Sequence, residues 1–342
     1  MFSISPLSHD LDALIQQRID QKTKPLGALG DLERLALHLA RLLGIDTPVI
    51  CSPTMLVFAA DHGVAVEGVS IASSEVTQQM VLNFLAGGAS INVFCRQAEM
   101  ALRVIDNGII EAPEAHPLLI SHRLGAGTRA IHREEAMTPE TVNVGFANSR
   151  ELISTLADGG CNVIGIGEMG IGNTTPASAL MAALTGLPLS TCVGRGTGVS
   201  DAQLLRKKEV IRQALQLHAF RLHDPVQALA ALGGFEIVGM VGAILAAAER
   251  GMAVVIDGFI STVAALVACA IAPHSRDYLI FSHCSNERGH VALLDWLEAT
   301  PILQLNLRMG EGAGAALALP MLRSAVAFYN EMATFEQAGV VV

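Results

Sequence analysis

Five carboxylates in this 342-residue chain stand where an apolar run gives way to a polar or glycine-rich loop. They are Asp61 in "AADHGV", Asp106 in "VIDNGI", Glu168 in "GIGEMG", Asp257 in "VIDGFIST" and Glu311 in "RMGEGAGAALALP". A single aspartate at a strand end often only caps the turn that follows. Five acids at the same end of one sheet would instead face one cleft, where ionisable groups become candidates for proton transfer. Glu311 is the most unusual, since it sits between Gly310 and Gly312. Glycines allow close backbone approaches that a Cβ forbids, yet they do not explain the acid.

Anion-binding chemistry has two candidates. In "GNTTPAS", Asn173, Thr174 and Thr175 suit a helix cap and Pro176 a first helical turn. A helix start of this kind attracts an anion. In "GRGTG", Gly194, Gly196 and Gly198 let successive N–H groups converge, Arg195 can assist, and "RKK" (Arg206 to Lys208) follows. Two other patterns carry less. "GIGEMG" (Gly165 to Gly170) matches GxGxxG, but the acid expected about 20 residues later for a ribose is missing. "SHCSNERGH" gathers His283, Cys284, Glu287 and His290 without HExxH or CxxC spacing, so hydrogen bonding within a loop is expected there rather than a metal site. Neither a GxSxG elbow nor a GxxxxGK[ST] loop occurs.

These residues need a scaffold. Short β-branched runs, "TMLVFAA", "ALRVI", "CNVIGI", "MAVVI", "DYLIF" and "ILQLNL", each end in one of the polar loops. Between them lie segments with helical spacing, including "EVTQQMVLNFLAGGASINVFCRQ" and "STVAALVACAIA". Alternation of this kind predicts an α/β fold with a parallel sheet covered on both faces, and ligands outside the carboxyl ends of its strands. Residues 8–45 read as two helices broken at "KPLG", and 315–337 as a helix with Pro320 in an early turn. The expected division is 1–50 and 313–342 as the two parts of a small helical domain, with 51–312 as the large α/β domain.

Composition narrows the function. Charged residues make up 16% and hydrophobic residues 51%, with a net charge of −10; this argues against a nucleic-acid binder, which would show a basic face, but leaves room for one local basic pocket. The apolar core of "FISTVAALVACAIAP" is too short to span a membrane, which takes about 20 residues. No signal peptide is visible at the N-terminus. Six scattered cysteines predict free thiols and a cytoplasmic location.

Seven stretches in order, "KPLGALGDLE", "ADHGVAVEGVS", "GIGEMGIGNTTPAS", "GGFEIVGMVGA", "DGFISTVAAL", "SHCSNERGH" and "LRMGEGAGAALALP", resemble the nicotinate-nucleotide:dimethylbenzimidazole phosphoribosyltransferase family. The resemblance implies a Rossmann-like sheet, a small domain from both termini, and a homodimer with its sites near the subunit contact. It implies transfer of ribose 5-phosphate from nicotinate mononucleotide to 5,6-dimethylbenzimidazole, with no cofactor and no metal. Glu311 matches the family's general base, and Glu168, beside Gly170, its second carboxylate. "GNTT" (Asn173, Thr174), Gly194, Gly196, Gly198, Lys207 and Ser285 match the ribose-phosphate side. Met80, Asp257, Met309 and Gly310 complete the expected substrate-binding set. Departures at Leu26, Ala28, Ala72, Met80 and Ala313 bear on which base is preferred. Two other readings stand beside this one: an NAD-dependent oxidoreductase, and a non-catalytic binding protein for nucleotides or cobamide precursors.

Overall fold

The computed structural model describes residues 2–194, 198 and 200–341. Six strands form one all-parallel sheet: β1 (Thr54–Ala60), β2 (Ala101–Gly108), β3 (Leu119–Ser121), β4 (Val163–Met169), β5 (Ala253–Ile256) and β6 (Leu279–Phe281). Their order is β3-β2-β1-β4-β5-β6. The chain winds outward from β1 through β2 to β3, then returns to the other side of β1 with β4. That reversal is the doubly wound pattern, which opens a crevice at the carboxyl ends of the strands.

Before and between the inner strands run α1 (Asp12–Asp20), α2 (Asp31–Leu43), α3 (Glu75–Leu85), α4 (Ser90–Gln97), α5 (Pro139–Asp158) and α6 (Thr174–Thr185). Next come α7 (Leu189–Cys192), α8 (Asp201–Leu217), α9 (Pro225–Leu232) and α10 (Phe235–Glu249). The chain closes with α11 (Phe259–Ile271), α12 (Arg288–Trp296), α13 (Ala313–Glu331) and α14 (Phe335–Ala338).

Every residue of β1 is buried, as expected of a strand covered on both faces. Its alternate side chains enter two cores. Leu56, Phe58 and Ala60 join residues of α5, α6, α9, α10 and α11 on one face. Met55, Val57 and Ala59 join α1, α2, α3, α4 and α13 on the other. The helix α10 is apolar all round and buried along nearly its whole length, the signature of a core helix. The apolar "STVAALVACAIA" is likewise core, in α11. No helix among the described residues is long and apolar enough to cross a membrane.

The helices of the two termini meet. Lys22 pairs with Thr334 in an antiparallel bridge, and Lys22 Nζ donates to the Met332 carbonyl at 2.7 Å. α2 buries Leu35, Ala36, Leu39, Ala40 and Leu42 along one stripe, and Gly44 ends it in the left-handed conformation.

Three sequence expectations are corrected. "ILQLNL" is not a strand: only Leu303 makes a bridge, to His283, and Asn306 has φ 55°, which breaks the pleat. The sixth strand is β3, whose three residues are too few to show periodicity. The segment "EVTQQMVLNFLAGGASINVFCRQ" is helical as its spacing predicts, in two helices parted at Gly87 with φ 80°. Pro320 lies inside α13 rather than in its first turn. The break at "KPLG" between α1 and α2 is as expected.

Candidate active site

A pocket of about 400 Å³ opens beyond the carboxyl ends of β4, β5 and β6. Its wall comes from four loop stretches: Glu168 to Thr174, Gly258 to Ser261, Ser285 with Glu287, and Arg308 to Glu311, with Met80 added from α3. Two helices, α6 and α11, begin at this wall. The positive ends of their dipoles make the pocket hospitable to an anion.

Glu168 is the penultimate residue of β4 and is almost fully buried. Burial, then the charge of Glu236, pushes its carboxyl up to about 8, against the opposing hydrogen bond from Asn173. A carboxyl so shifted keeps its proton at neutral pH. The sequence suggested that Asn173 caps α6. It stands at the cap position, but its side-chain amide donates to Glu168 Oε2 instead.

Glu311 itself adopts φ 70°, followed by Gly312 at 91°. The chain can bend this tightly against β4 because Gly167 lacks a Cβ, which would run into the backbone of Glu311 and Gly312. Gly310 serves a different end. A Cβ there would overlap Glu168 Oε1, so this glycine makes room for the second carboxylate. The Glu311 side chain reaches the start of α4, where Ser90 Oγ donates to Oε2 at 2.9 Å and the Ile91 N–H also donates. Burial raises the Glu311 pKa, and these two donors oppose the rise.

Asp257 does not line the pocket. Its carboxylate lies one layer beneath, accepting from the Gly312 N–H at 3.1 Å and the Ala315 N–H at 3.0 Å. It thereby secures the turn that carries Glu311. Burial pushes Asp257 up to about 7. Asp61 and Asp106 depart from the expected cleft. Asp106 accepts from the Gly108 and Ile109 N–H groups and pairs with Arg123, while Asp61 accepts from the Ile110 N–H. Both hold turns, as the plain reading of a strand-end aspartate has it.

Lys207 is buried on α8 and sits immediately behind the wall, its Nζ 2.7 Å from Thr174 Oγ1. Burial pushes it down to about 8, while the negative charge of Glu287 pulls the other way. Gly194 packs so tightly on Glu287 that no Cβ would fit. Gly198 is exposed and is not part of the wall. Gly196 and Arg195 lie outside the described residues.

The structure therefore gathers Met80, Glu168, Gly170, Asn173, Thr174, Ser285, Met309, Gly310 and Glu311 around one space. Sequence reasoning missed Ser90 and Ile91, whose helix start is visible in "GGASIN" but whose partner lies 221 residues away. It also passed over the apolar wall residues Met169, Ile171, Phe259 and Ile260. The GxGxxG match dissolves: Gly165 and Gly167 lie within β4 rather than in a loop after it. In "SHCSNERGH" the imidazoles of His283 and His290 stand edge to face at 6.1 Å and bond to Ser282 and Thr262 hydroxyls.

A doubly wound sheet, a largely apolar cleft at its carboxyl edge and acid groups held near neutrality define an α/β enzyme acting on small molecules. A family model described as phosphoribosyltransferase matches residues 4–340. The chain is 59% identical over 340 residues to the nicotinate-nucleotide–dimethylbenzimidazole phosphoribosyltransferase of Shewanella loihica, covering 99% of each chain. It is 58% identical, over the same length and with the same coverage, to the protein of that name from Shewanella piezotolerans. The crystal structure of CobT from Thermus thermophilus superposes with a TM-score of 0.93 at 44% identity, covering 97% of this chain and 99% of that one. The chain belongs to this phosphoribosyltransferase family.

Proposed function

We propose that the protein transfers the ribose 5-phosphate of nicotinate mononucleotide to 5,6-dimethylbenzimidazole, giving α-ribazole 5′-phosphate and nicotinate, with Glu311 as general base. The reading is supported by full-length similarity to enzymes of that name. Its mechanism rests on one observation: a buried carboxylate, tethered at one oxygen by Ser90, on the wall of a largely apolar pocket.

One azole nitrogen attacks C1′ of the ribose from the face opposite nicotinate. The new N–C1′ bond forms as the old one breaks, and the configuration inverts from β to α. The electron pair of the broken bond stays with the nicotinate ring nitrogen, which leaves as an uncharged pyridine. The proton on the other azole nitrogen passes to Glu311. A base so placed contributes about 10²–10⁴-fold. Its charge also favours the positive character that develops at C1′. Glu168 plays the opposite part: pushed up to about 8, it keeps a proton and donates a hydrogen bond while Glu311 accepts. Thr174, Lys207, Ser285 and the start of α6 take the phosphate, and Met80 and Met309 flank the flat base.

Glu311→Gln is the test. Chromatography should show no nicotinate and no α-ribazole 5′-phosphate from the variant under conditions where the native enzyme makes both. Full turnover by Glu311→Gln would remove this residue as base. Absence of product from the native protein would favour a binding protein instead.

Three coarser features belong to the same reading. The helices of 1–50 and 313–342 act as one small subdomain beside 51–312, supported by the Lys22 to Thr334 bridge. The protein works as a homodimer, consistent with strongly exposed Val66 and Leu205 and tested by light scattering. It resides in the cytoplasm, in keeping with its unpaired cysteines.

A further inference from the structure

His290 does not line the pocket, yet its hydrogen bonds join two stretches of the wall. The backbone N–H of Ser285 lies 3.0 Å from His290 Nδ1. An amide N–H can only donate, so Nδ1 accepts, and the proton of the neutral ring is on Nε2. Nε2 lies 2.9 Å from Thr262 Oγ1 and donates to it. The hydroxyl hydrogen of Thr262 is then free to point to the Gly258 carbonyl oxygen, 2.8 Å away. Each direction is forced by the one before. Ser285 and Gly258, at the two ends of the chain of bonds, both line the pocket. His290 and Thr262, in the middle, are fully buried.

A charged ring would present a second donor to the Ser285 N–H. Burial, reinforced by neighbouring His283, holds the His290 pKa down at about 3, so the acceptor is retained. Nearby, Ser285 Oγ accepts from the Glu287 N–H at 3.2 Å, which ties a further wall residue to the same anchored loop.

We propose that His290 is a positioning residue. As the Nε2–H tautomer it clamps the loop carrying Ser285 to the start of α11, setting the spacing of the pocket's phosphate side. This inference rests on the phosphoribosyl-transfer reading for its kinetic consequence, though not for its geometry. The clamp acts on the binding of nicotinate mononucleotide rather than on the proton transfer at Glu311.

The test has two arms. Nitrogen-15 NMR of histidine-labelled native protein at neutral pH should show His290 with Nδ1 bare and Nε2 protonated. This arm is independent of turnover and survives even if the activity reading fails. The opposite tautomer, or a doubly protonated ring, would overturn the clamp. In the second arm, Thr262→Val keeps the side-chain shape and removes the central hydroxyl. KM for nicotinate mononucleotide should rise about tenfold, the scale of one lost hydrogen bond, with kcat changed less than about threefold. His290→Asn keeps an acceptor for Ser285 but loses Thr262, so it should match Thr262→Val, and the double variant should be no worse than either alone. Additive losses, or a native KM in a folded Thr262→Val protein, would sink the proposal. Calorimetric titration with nicotinate mononucleotide reads the same loss as affinity if no product forms.

Discussion

The backbone N–H of Glu311 donates to the carbonyl oxygen of Glu168 at 3.1 Å. One hydrogen bond thus fastens the turn carrying the proposed base to the strand carrying its partner acid. The approach is possible because Gly310 leaves the space that Glu168 Oε1 fills. Gly310→Ala should therefore force the two carboxyl groups apart. We expect kcat to fall by about 10²-fold, on the scale of a misplaced catalytic group. Circular dichroism should show the fold unchanged. A variant of native activity would mean that the spacing of the two acids does not matter.

Ser90 tunes the base. Its hydrogen bond, with that of Ile91, lowers the Glu311 pKa against the upward push of burial. Removing the hydroxyl in Ser90→Ala should raise that pKa, so that Glu311 holds its proton to higher pH. The acidic limb of the kcat–pH profile should move upward. Activity on the acidic limb should drop several-fold while the alkaline plateau stays close to native. A uniform loss at every pH would indicate misplacement rather than tuning.

Glu168 links the site to stability. Its folded pKa of about 8 lies above the ordinary 4.5, so the folded state binds the proton more tightly than the unfolded state. This contribution is fully present below about pH 4.5 and is lost as pH rises toward 8, by several kcal/mol, on the order of 4 for such a shift. Glu168→Gln cannot ionise and should escape the loss. Calorimetry should find the variant's advantage in Tm much larger near pH 8.5 than near pH 5. Equal differences at the two pH values would contradict a buried, protonated Glu168.

Lys207 is the buried cation beside the proposed phosphate site, joined to it through Thr174. Lys207→Met keeps the volume and removes the charge. A charged hydrogen bond is worth about 1.5–3 kcal/mol, so KM for nicotinate mononucleotide should rise roughly 10–100-fold. KM for the benzimidazole should change little. Equal rises in both would place Lys207 in general packing instead.

Much of this protein is written in local sequence. Short apolar, β-branched runs marked five of the six strands, because a parallel strand covered on both faces must be apolar along its length. Glycine and proline marked the break between α1 and α2. The acid at 311, set between glycines, was recognisable as unusual for the same local reason: the chain there needs conformations that few residues adopt. Tertiary structure decided the rest. It separated Glu168 and Glu311, which face the pocket, from Asp61 and Asp106, which hold turns. It turned Asn173 from its helix toward Glu168, and brought Ser90 from 221 residues away to the base. Hydrogen bonds and pKa shifts depend on which groups share a dry space, and that is fixed by the packing of distant segments rather than by neighbours along the chain.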